Sequence, residues 1–159
     1  MKISIYSCNE KMAKFLRGEM VCLDVRGLPD PSPTCQDLFG TDPRVWDAMV
    51  AEDSQLVVGR AITAVSWALA YKTLCVYCEG GWQRSVAIVE HAAMSLIGYR
   101  VKITHMEAIP QNPNLTPHDV LQMMRSELAD MRRYDEPLTA EEFAYHVHNL
   151  EEALGETDV

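Results

Sequence analysis

The sequence lacks an apolar run long enough to cross a membrane. Its longest apolar stretches, such as residues 61–71, are much shorter than the roughly 20 residues that a transmembrane helix needs. The N-terminal segment MKISIYSCNE also lacks the apolar run ending in small residues that marks a secretory signal peptide. The sequence therefore predicts a cytoplasmic protein with no membrane partner.

Basic charge is also scarce. There are 14 Lys and Arg residues against 23 Asp and Glu residues, which gives a formal net charge of −9. Proteins that bind RNA through its phosphates need a basic face, so this balance argues against an RNA partner. With 159 residues, 48% of them hydrophobic and 23% charged, the chain fits one globular domain with a short appendage.

The five cysteines do not have the repeated spacing of a zinc finger or zinc ribbon. Cys75 and Cys78 form a C-x-x-C pair, but they lie inside an apolar run that reads as a strand. Side chains alternate along a strand, so these two thiols are expected to point to opposite faces. We predict reduced thiols, no metal site and no cofactor.

Strand and helix patterns alternate along residues 1–108 and predict an α/β domain. Alternating or continuous apolar runs indicate strands at residues 2–8, 19–25, 72–77 and 100–105. Helices are expected at residues 44–51, 56–71 and 85–97, with caps at Asp42 and Ser54, and residues 9–18 leave room for a loop or one helical turn. The predicted core is a small, mostly parallel sheet of about four strands with flanking helices.

Residues 109–159 differ in character from the part before them. Residues 109–117, IPQNPNLTP, contain three prolines and read as a linker. Two helices with caps at Thr116 and Thr139 are expected to follow it as a C-terminal helical hairpin. This tail is predicted to pack on the α/β core or on a second subunit, which would make the protein a homo-oligomer.

The segment VYCEGGWQRSV at residues 76–86 carries the strongest functional signal. A buried strand ends at Cys78, Gly80 and Gly81 allow a close turn, and a helix begins near Arg84 or Ser85. Backbone N–H groups, the helix dipole and a guanidinium then face one space, which predicts a phosphate-binding loop. The structural alternative is a plain tight turn with Arg84 in solvent.

The same segment also has the Cys-x5-Arg-Ser pattern of cysteine-dependent phosphatases. In that reading Cys78 is the nucleophile, Arg84 holds the phosphate, and Asp30 from the proline-rich loop 26–33 is the general acid. Tyr77 stands where these enzymes usually have a histidine, and Glu79 places a negative charge beside the anion. Catalysis by Cys78 and Asp30 is therefore the alternative to a non-enzymatic binding module.

Two motifs together resemble the C-terminal domain family of the RNase adapter protein RapZ. Residues 24–31, DVRGLPDP, match a family motif like DVRFLPNP, and residues 78–86, CEGGWQRSV, match one like CTGGKHRSV. The resemblance covers residues 1–107. It implies a regulatory domain that binds an amino-sugar phosphate, glucosamine-6-phosphate, and helps present a small RNA to an RNase.

When the family's binding residues are matched position by position, the resemblance implies that residues 78–86 bind the phosphate and that residues 24–31 form the rest of the pocket. It implies that Asp24 and Arg26 border the pocket. The residues that it implies hold the phosphate are Gly80, Gly81, Arg84 and Ser85.

The chain departs from the family pattern at several points. Trp82 and Gln83 replace the family's Lys and His, and no G-x-x-x-x-G-K-[ST] motif of its N-terminal nucleotide-binding domain is present. RNA contacts depend on such cations, so the RNA role is not carried over. Trp82 can instead stack on a base or sugar. We predict a sensor for a sugar phosphate or nucleotide; the alternatives are a phosphatase and a protein-interaction domain with a vestigial anion site.

Overall fold

The computed structural model describes residues 1–108 and confirms the α/β class. Four strands, all parallel, form one sheet in the order β2-β3-β1-β4. The strands are β1 (Lys2–Asn9), β2 (Val21–Asp24), β3 (Thr73–Cys78) and β4 (Arg100–His105), and the helices are α1 (Glu10–Leu16), α2 (Ser32–Cys35), α3 (Pro43–Tyr71) and α4 (Arg84–Ser95), with a 3₁₀ turn at Met106–Ala108. The linker and helical hairpin predicted for residues 109–159 lie outside the described residues.

The sheet is covered on both faces, as its apolar strands require. The larger core lies between the sheet and helices α3 and α4, and includes Ile5 of β1 and Val76 of β3. The smaller core lies against α1 and includes Cys8 and Cys75. Cys78 belongs to the larger core and Cys75 to the smaller one, so the prediction that they occupy opposite faces is confirmed.

Helix α1 is longer than the single turn allowed for residues 9–18. It has seven residues and begins directly after β1, because the Asn9 side chain accepts a hydrogen bond from the Met12 N–H at 2.8 Å. This cap satisfies a donor that would otherwise be unpaired at the start of the helix. A capping residue on the last position of a strand thus removes the need for a connecting loop.

The two helices predicted at residues 44–51 and 56–71 form one continuous span with a kink. Asp53 has non-helical angles of φ −151° and ψ 86°, and its carboxylate accepts a hydrogen bond from the Leu56 N–H at 3.1 Å. Asp53 rather than Ser54 therefore caps the second segment.

None of the helices in the described part of the chain combines the length and the hydropathy that crossing a bilayer requires.

The strand order creates a crevice at the carboxyl ends of β1 and β3. The chain leaves β1 for β2 on one side and leaves β3 for β4 on the other, while α1 and α4 pack on opposite faces. Ligands of open parallel sheets bind where the connections diverge in this way. The paired residues Asn9 and Cys78 end these two central strands.

Candidate functional site

The glycine-rich loop follows β3 at this crevice and folds back against the end of β1. Gly81 has φ +72°, and a Cβ atom there would lie 2.6 Å from the Asn9 nitrogen and 2.7 Å from the Cys8 carbonyl carbon. Only glycine fits such a conformation beside a neighbouring backbone. At Gly80 the nearest atom to an added Cβ is the Trp82 side chain at 3.7 Å, so that position is open.

The Cys78 thiol lies inside the loop. Its sulfur accepts a hydrogen bond from the Gly81 N–H at 3.2 Å and lies 3.2 Å from the Ser85 hydroxyl. The side chain is only 3% exposed. The structure therefore brings together three of the residues singled out in the sequence, with a backbone donor and a hydroxyl directed at the sulfur.

Among the described residues, no side chain caps the first turn of α4, and this turn contains no acidic residue. Gln83 occupies the cap position, but its amide Nε2 donates to the Cys35 carbonyl at 2.6 Å and the Leu38 carbonyl at 2.9 Å. Gln83 thus ties the loop to α2, a structural role that the sequence did not indicate. The positive end of the α4 dipole is left without a side-chain anion of its own, which favours a bound anion.

Arg84 is a mostly buried brace, since its side chain is 14% exposed. Its Nη1 donates to the Arg26 carbonyl at 2.5 Å and the Leu28 carbonyl at 3.4 Å, joining the two sequence motifs. Its Nη2 lies 3.9 Å from the Glu79 carboxylate, whose side chain is 73% exposed. One arm of the guanidinium therefore holds the proline-rich loop, and the other faces the exposed carboxylate of Glu79.

Asp24 and Arg26, at and just after the end of β2, neutralise each other. Arg26 donates to both carboxylate oxygens of Asp24, at 2.9 Å and 2.6 Å, and its Nη1 donates to Glu10 at 2.8 Å. Hydrogen bonding from Arg26 is the main cause that lowers the pKa of Asp24 to about 2, and Asp24 in turn raises the pKa of Arg26. Arg26 also stacks over the Tyr77 ring.

Trp82 presents its ring at the surface of the loop. It is 56% exposed and packs edge-to-face against Phe39, with the ring centres 5.7 Å apart. Its carbonyl accepts a hydrogen bond from the Gly40 N–H at 2.8 Å. A Cβ atom at Gly40 would lie 2.6 Å from the Val86 Cβ, so Gly40 lets these segments meet. Sequence reasoning missed Gly40, although a glycine next to the Asp42 helix start was an available signal.

A second set of polar residues lies beside the loop. His105 forms hydrogen bonds at 2.7 Å to the Ser7 hydroxyl through Nδ1 and at 2.7 Å to Glu90 through Nε2. Its ring also contacts Phe39, at 5.8 Å between centres. The sequence indicates His105 as a candidate, because it ends a strand at the edge where parallel sheets bind ligands, but it does not indicate the contacts with Ser7 and Glu90.

Asp30 lies in the proline-rich loop and is held by contacts within that loop. Its carboxylate accepts a hydrogen bond from the Ser32 N–H at 3.0 Å. Hydrogen bonds from Ser32 and the charge of Arg84 lower the pKa of Asp30. A general acid at neutral pH needs a raised pKa. Because the pKa of Asp30 is lowered instead, its carboxylate is ionised at neutral pH. Within residues 1–108, no cluster of His, Cys, Asp and Glu has the arrangement of a metal site.

No protein-family model matches the chain. The chain is 33% identical over 97 residues to a protein of Neisseria gonorrhoeae named "Nucleotide-binding protein", a match that covers 54% of this chain and 34% of the relative. A Thermus thermophilus protein with that designation is 34% identical over 97 residues, covering 54% of this chain and 35% of the relative. A Rubrobacter xylanophilus protein is 37% identical over 89 residues, covering 49% and 29%.

The chain spans about a third of the length of the curated relatives that it matches. The similarity is consistent with the resemblance drawn from the two sequence motifs. The relatives' name describes whole proteins, of which this chain matches only a part. The structure brings the motif residues to one edge of the sheet, and their contact with a ligand stays a prediction.

Proposed function

We propose that the chain is a RapZ C-terminal-like regulatory module of the cytoplasm that binds a phosphorylated small molecule at the loop 78–85. Residues 1–108 form the binding unit in this proposal, and residues 109–159 form an appended segment that packs on this unit or on a second copy of the chain. The observation that carries it is the uncapped first turn of α4, placed at the crevice between β1 and β3 with Arg84 fixed beside it.

The charges around the loop support binding of an anion rather than repelling it. The Arg84 guanidinium is held in position by carbonyl oxygens, which carry no net charge to neutralise it. Its nearest carboxylate, Glu79, lies at 3.9 Å and is mostly in solvent, so water screens it and a ligand can displace it. Asp24 is already paired with Arg26. A phosphate would thus meet backbone donors and one fixed cation.

Two ligand classes fit this site, a sugar phosphate and a nucleotide. The resemblance to the RapZ family favours an amino-sugar phosphate, with Asp24 and Arg26 bordering the sugar. The exposed face of Trp82 and the name of the relatives favour a nucleotide, whose base would stack on the indole. Both classes share the phosphate, which is the part that the loop recognises.

The phosphatase alternative rests on the contacts of the Cys78 sulfur, the atom that would be the nucleophile, with the Gly81 N–H and the Ser85 hydroxyl. Two observations weigh against turnover. The sulfur is almost fully buried, and the pKa of Asp30 is lowered rather than raised. Binding without hydrolysis is therefore the function that the geometry supports best.

Phosphorus NMR with a panel of inorganic phosphate, glucosamine-6-phosphate and nucleotides tests the proposal. We expect saturable broadening or a shift of one phosphate signal without release of inorganic phosphate. Release by the wild type but not by Cys78→Ser would establish the phosphatase instead. Unchanged signals across the panel would contradict phosphate binding and favour the protein-interaction domain with a vestigial site.

Two charge variants locate the binding. Arg84→Ala should weaken phosphate binding by about 10-fold to 100-fold, because a charge-assisted hydrogen bond contributes about 1.5–3 kcal/mol. The exposed Arg100, at the amino end of β4, provides the matched control Arg100→Ala. Since Arg84 also braces the loop, Glu79→Gln is the cleaner test. It removes a repulsive charge from an exposed position and should tighten binding by about twofold to fivefold, whereas Glu52→Gln on α3 should change nothing.

A further inference from the structure

Three cysteines lie side by side on the face of the sheet that α1 covers, away from the phosphate loop. Cys75 on the central strand β3 has Cys8 of β1 on one side and Cys22 of β2 on the other. The sulfurs of Cys8 and Cys75 are 3.2 Å apart, and Cys22 pairs directly with Cys75 in the β2–β3 register. All three are free thiols, so Cys75 is a thiol with a thiol on each side.

The three thiols differ in access to solvent. Cys8 and Cys75 are fully buried, at 0% exposure, while Cys22 is partly exposed near the sheet edge formed by β2. A soluble oxidant therefore reaches Cys22 first. The environment also favours the Cys22 thiolate, because a hydrogen bond from Cys75 and the charge of Arg17 lower the pKa of Cys22. The pKa of Cys75 is raised, because Cys75 forms hydrogen bonds with Cys22 and Cys8 and because its thiol is buried.

We propose that Cys22 and Cys75 are an oxidation site that forms a reversible disulfide with a hydroperoxide as oxidant. An exposed reactive thiol beside a protected second thiol is the arrangement that such chemistry needs. The proposal does not depend on phosphate binding, since it uses none of the residues of the phosphate loop.

The two steps are balanced in atoms and electrons. The Cys22 thiolate attacks one peroxide oxygen, the O–O bond breaks, and the oxygen that leaves takes up a proton as water, or as an alcohol for an organic peroxide. Cys22 is then a sulfenic acid. The Cys75 sulfur attacks the Cys22 sulfur, the S–O bond breaks, and hydroxide leaves with the Cys75 proton as water. Two thiols lose two electrons, and one peroxide gains them.

Strand pairing allows this bond with little movement of the backbone. Neighbouring strands lie about 4.7–4.9 Å apart, and residues joined by a disulfide have Cα atoms about 4.4–6.8 Å apart. The Cys8 sulfur is already close to Cys75, but both are enclosed, so neither is the first to meet an oxidant. Cys8 can form a disulfide only later, by thiol–disulfide exchange with the bond between Cys22 and Cys75.

The two remaining cysteines serve as internal controls. Cys35 and Cys78 lie in the larger core on the other face of the sheet. The Cys35 thiol donates to the Arg44 carbonyl at 3.5 Å, and Cys78 contacts Gly81 and Ser85. The described contacts give neither of them a sulfur neighbour, so oxidation should leave both as thiols.

The test treats the full chain with a small excess of hydrogen peroxide, followed by denaturation and alkylation of the remaining thiols. We expect a mass that is 2 Da lower before alkylation, two fewer alkyl groups than in the untreated protein, and a peptide linking Cys22 to Cys75. Dithiothreitol should restore all thiols. Cys35→Ser should behave as the wild type, and Cys22→Ser should form no disulfide.

Cys75→Ala gives the second readout, because the Cys22 sulfenic acid then lacks its thiol partner and should be trapped by dimedone. If circular dichroism shows that this variant does not fold, early dimedone trapping at Cys22 in the wild type replaces it. Disulfide formation in Cys22→Ser would overturn the proposal. So would full alkylation of the wild type under conditions that oxidise free glutathione, or a first disulfide that maps to Cys8 and Cys75.

Discussion

Replacing Gly81 by alanine adds one methyl group at the point where the glycine-rich loop, residues 78–85, meets the end of β1. The residue has φ +72°, and the new Cβ would lie 2.6 Å from the Asn9 nitrogen and 2.7 Å from the Cys8 carbonyl carbon. Both contacts are with backbone, which cannot rotate away as a side chain does. Alanine at Gly80 would instead meet only the Trp82 side chain at an ordinary 3.7 Å.

The cost can be worked from two contributions. The left-handed backbone conformation costs a non-glycine residue about 1 kcal/mol, and overpacking against fixed atoms typically costs about 1–3 kcal/mol. Gly81→Ala should therefore lower the free energy of unfolding by about 2–4 kcal/mol, a large part of a typical stability of about 5–15 kcal/mol. Gly80→Ala lacks both contributions and should change it by less than about 0.5 kcal/mol.

Urea unfolding followed by circular dichroism measures both variants, with the free energy taken from the midpoint and the slope. The expected result is a clearly lower midpoint for Gly81→Ala and an unchanged one for Gly80→Ala. If the two variants unfold at the same urea concentration, the packing of the loop against β1 is not as described. The explanation of why the motif needs its second glycine would then fail.

Two further substitutions test the loop contacts and the ion pair. Gln83→Ala should cost about 1–3 kcal/mol, because it leaves two carbonyl acceptors without donors; Gln36→Ala, at an exposed position, is the control, and equal urea midpoints would refute the role of Gln83. Asp24 has its pKa lowered to about 2 by hydrogen bonding from Arg26. The unfolded chain binds the proton more readily, so stability that is present above about pH 4 should be lost as the pH falls towards 2. Asp24→Asn should lack this part of the decline, and parallel pH profiles of the two proteins would contradict it.

The alternation of strands and helices was readable because each element carries its own pattern. The boundaries of β4, residues 100–105, agree with the prediction, and the βαβ arrangement followed from a glycine loop between a buried strand and a helix. Helix α4 ends at Ser95, two residues before the predicted end at residue 97, and Gly98 with φ +89° follows it. The cap at Asp53 was missed because Asp53 and Ser54 are adjacent and both are good capping residues.

The structural contacts of Arg84 and Gln83 could not be predicted from the sequence, because they join segments that are distant in the chain. Arg84 reaches the Arg26 carbonyl, 58 positions away, and Gln83 reaches Cys35, 48 positions away. Neither interaction has a local pattern, since its partner is a backbone carbonyl that any residue could supply. The alternative of a solvent-facing Arg84 is wrong, because the side chain is mostly buried and joins both motifs.

The net charge of the whole chain does not describe the charge of residues 1–108. Residues 1–108 contain eleven basic and twelve acidic residues, a net charge of −1, so residues 109–159 carry −8 of the total of −9. The acidic balance that argued against RNA is thus a property of the C-terminal third. A nearly neutral binding unit is also compatible with an anionic ligand, because the field near the loop is set by local groups such as Arg84 and Glu79.

The backbone amides of the glycine-rich loop provide the most direct measurement of the central proposal. Nitrogen-15 NMR spectra of the full chain, recorded while inorganic phosphate and then glucosamine-6-phosphate or a nucleotide is added, report each amide separately. We predict saturable shifts centred on Gly80, Gly81 and Ser85, at lower concentration for the organic ligand than for inorganic phosphate. Shifts that do not saturate, or that centre on another part of the chain, would contradict the proposed site.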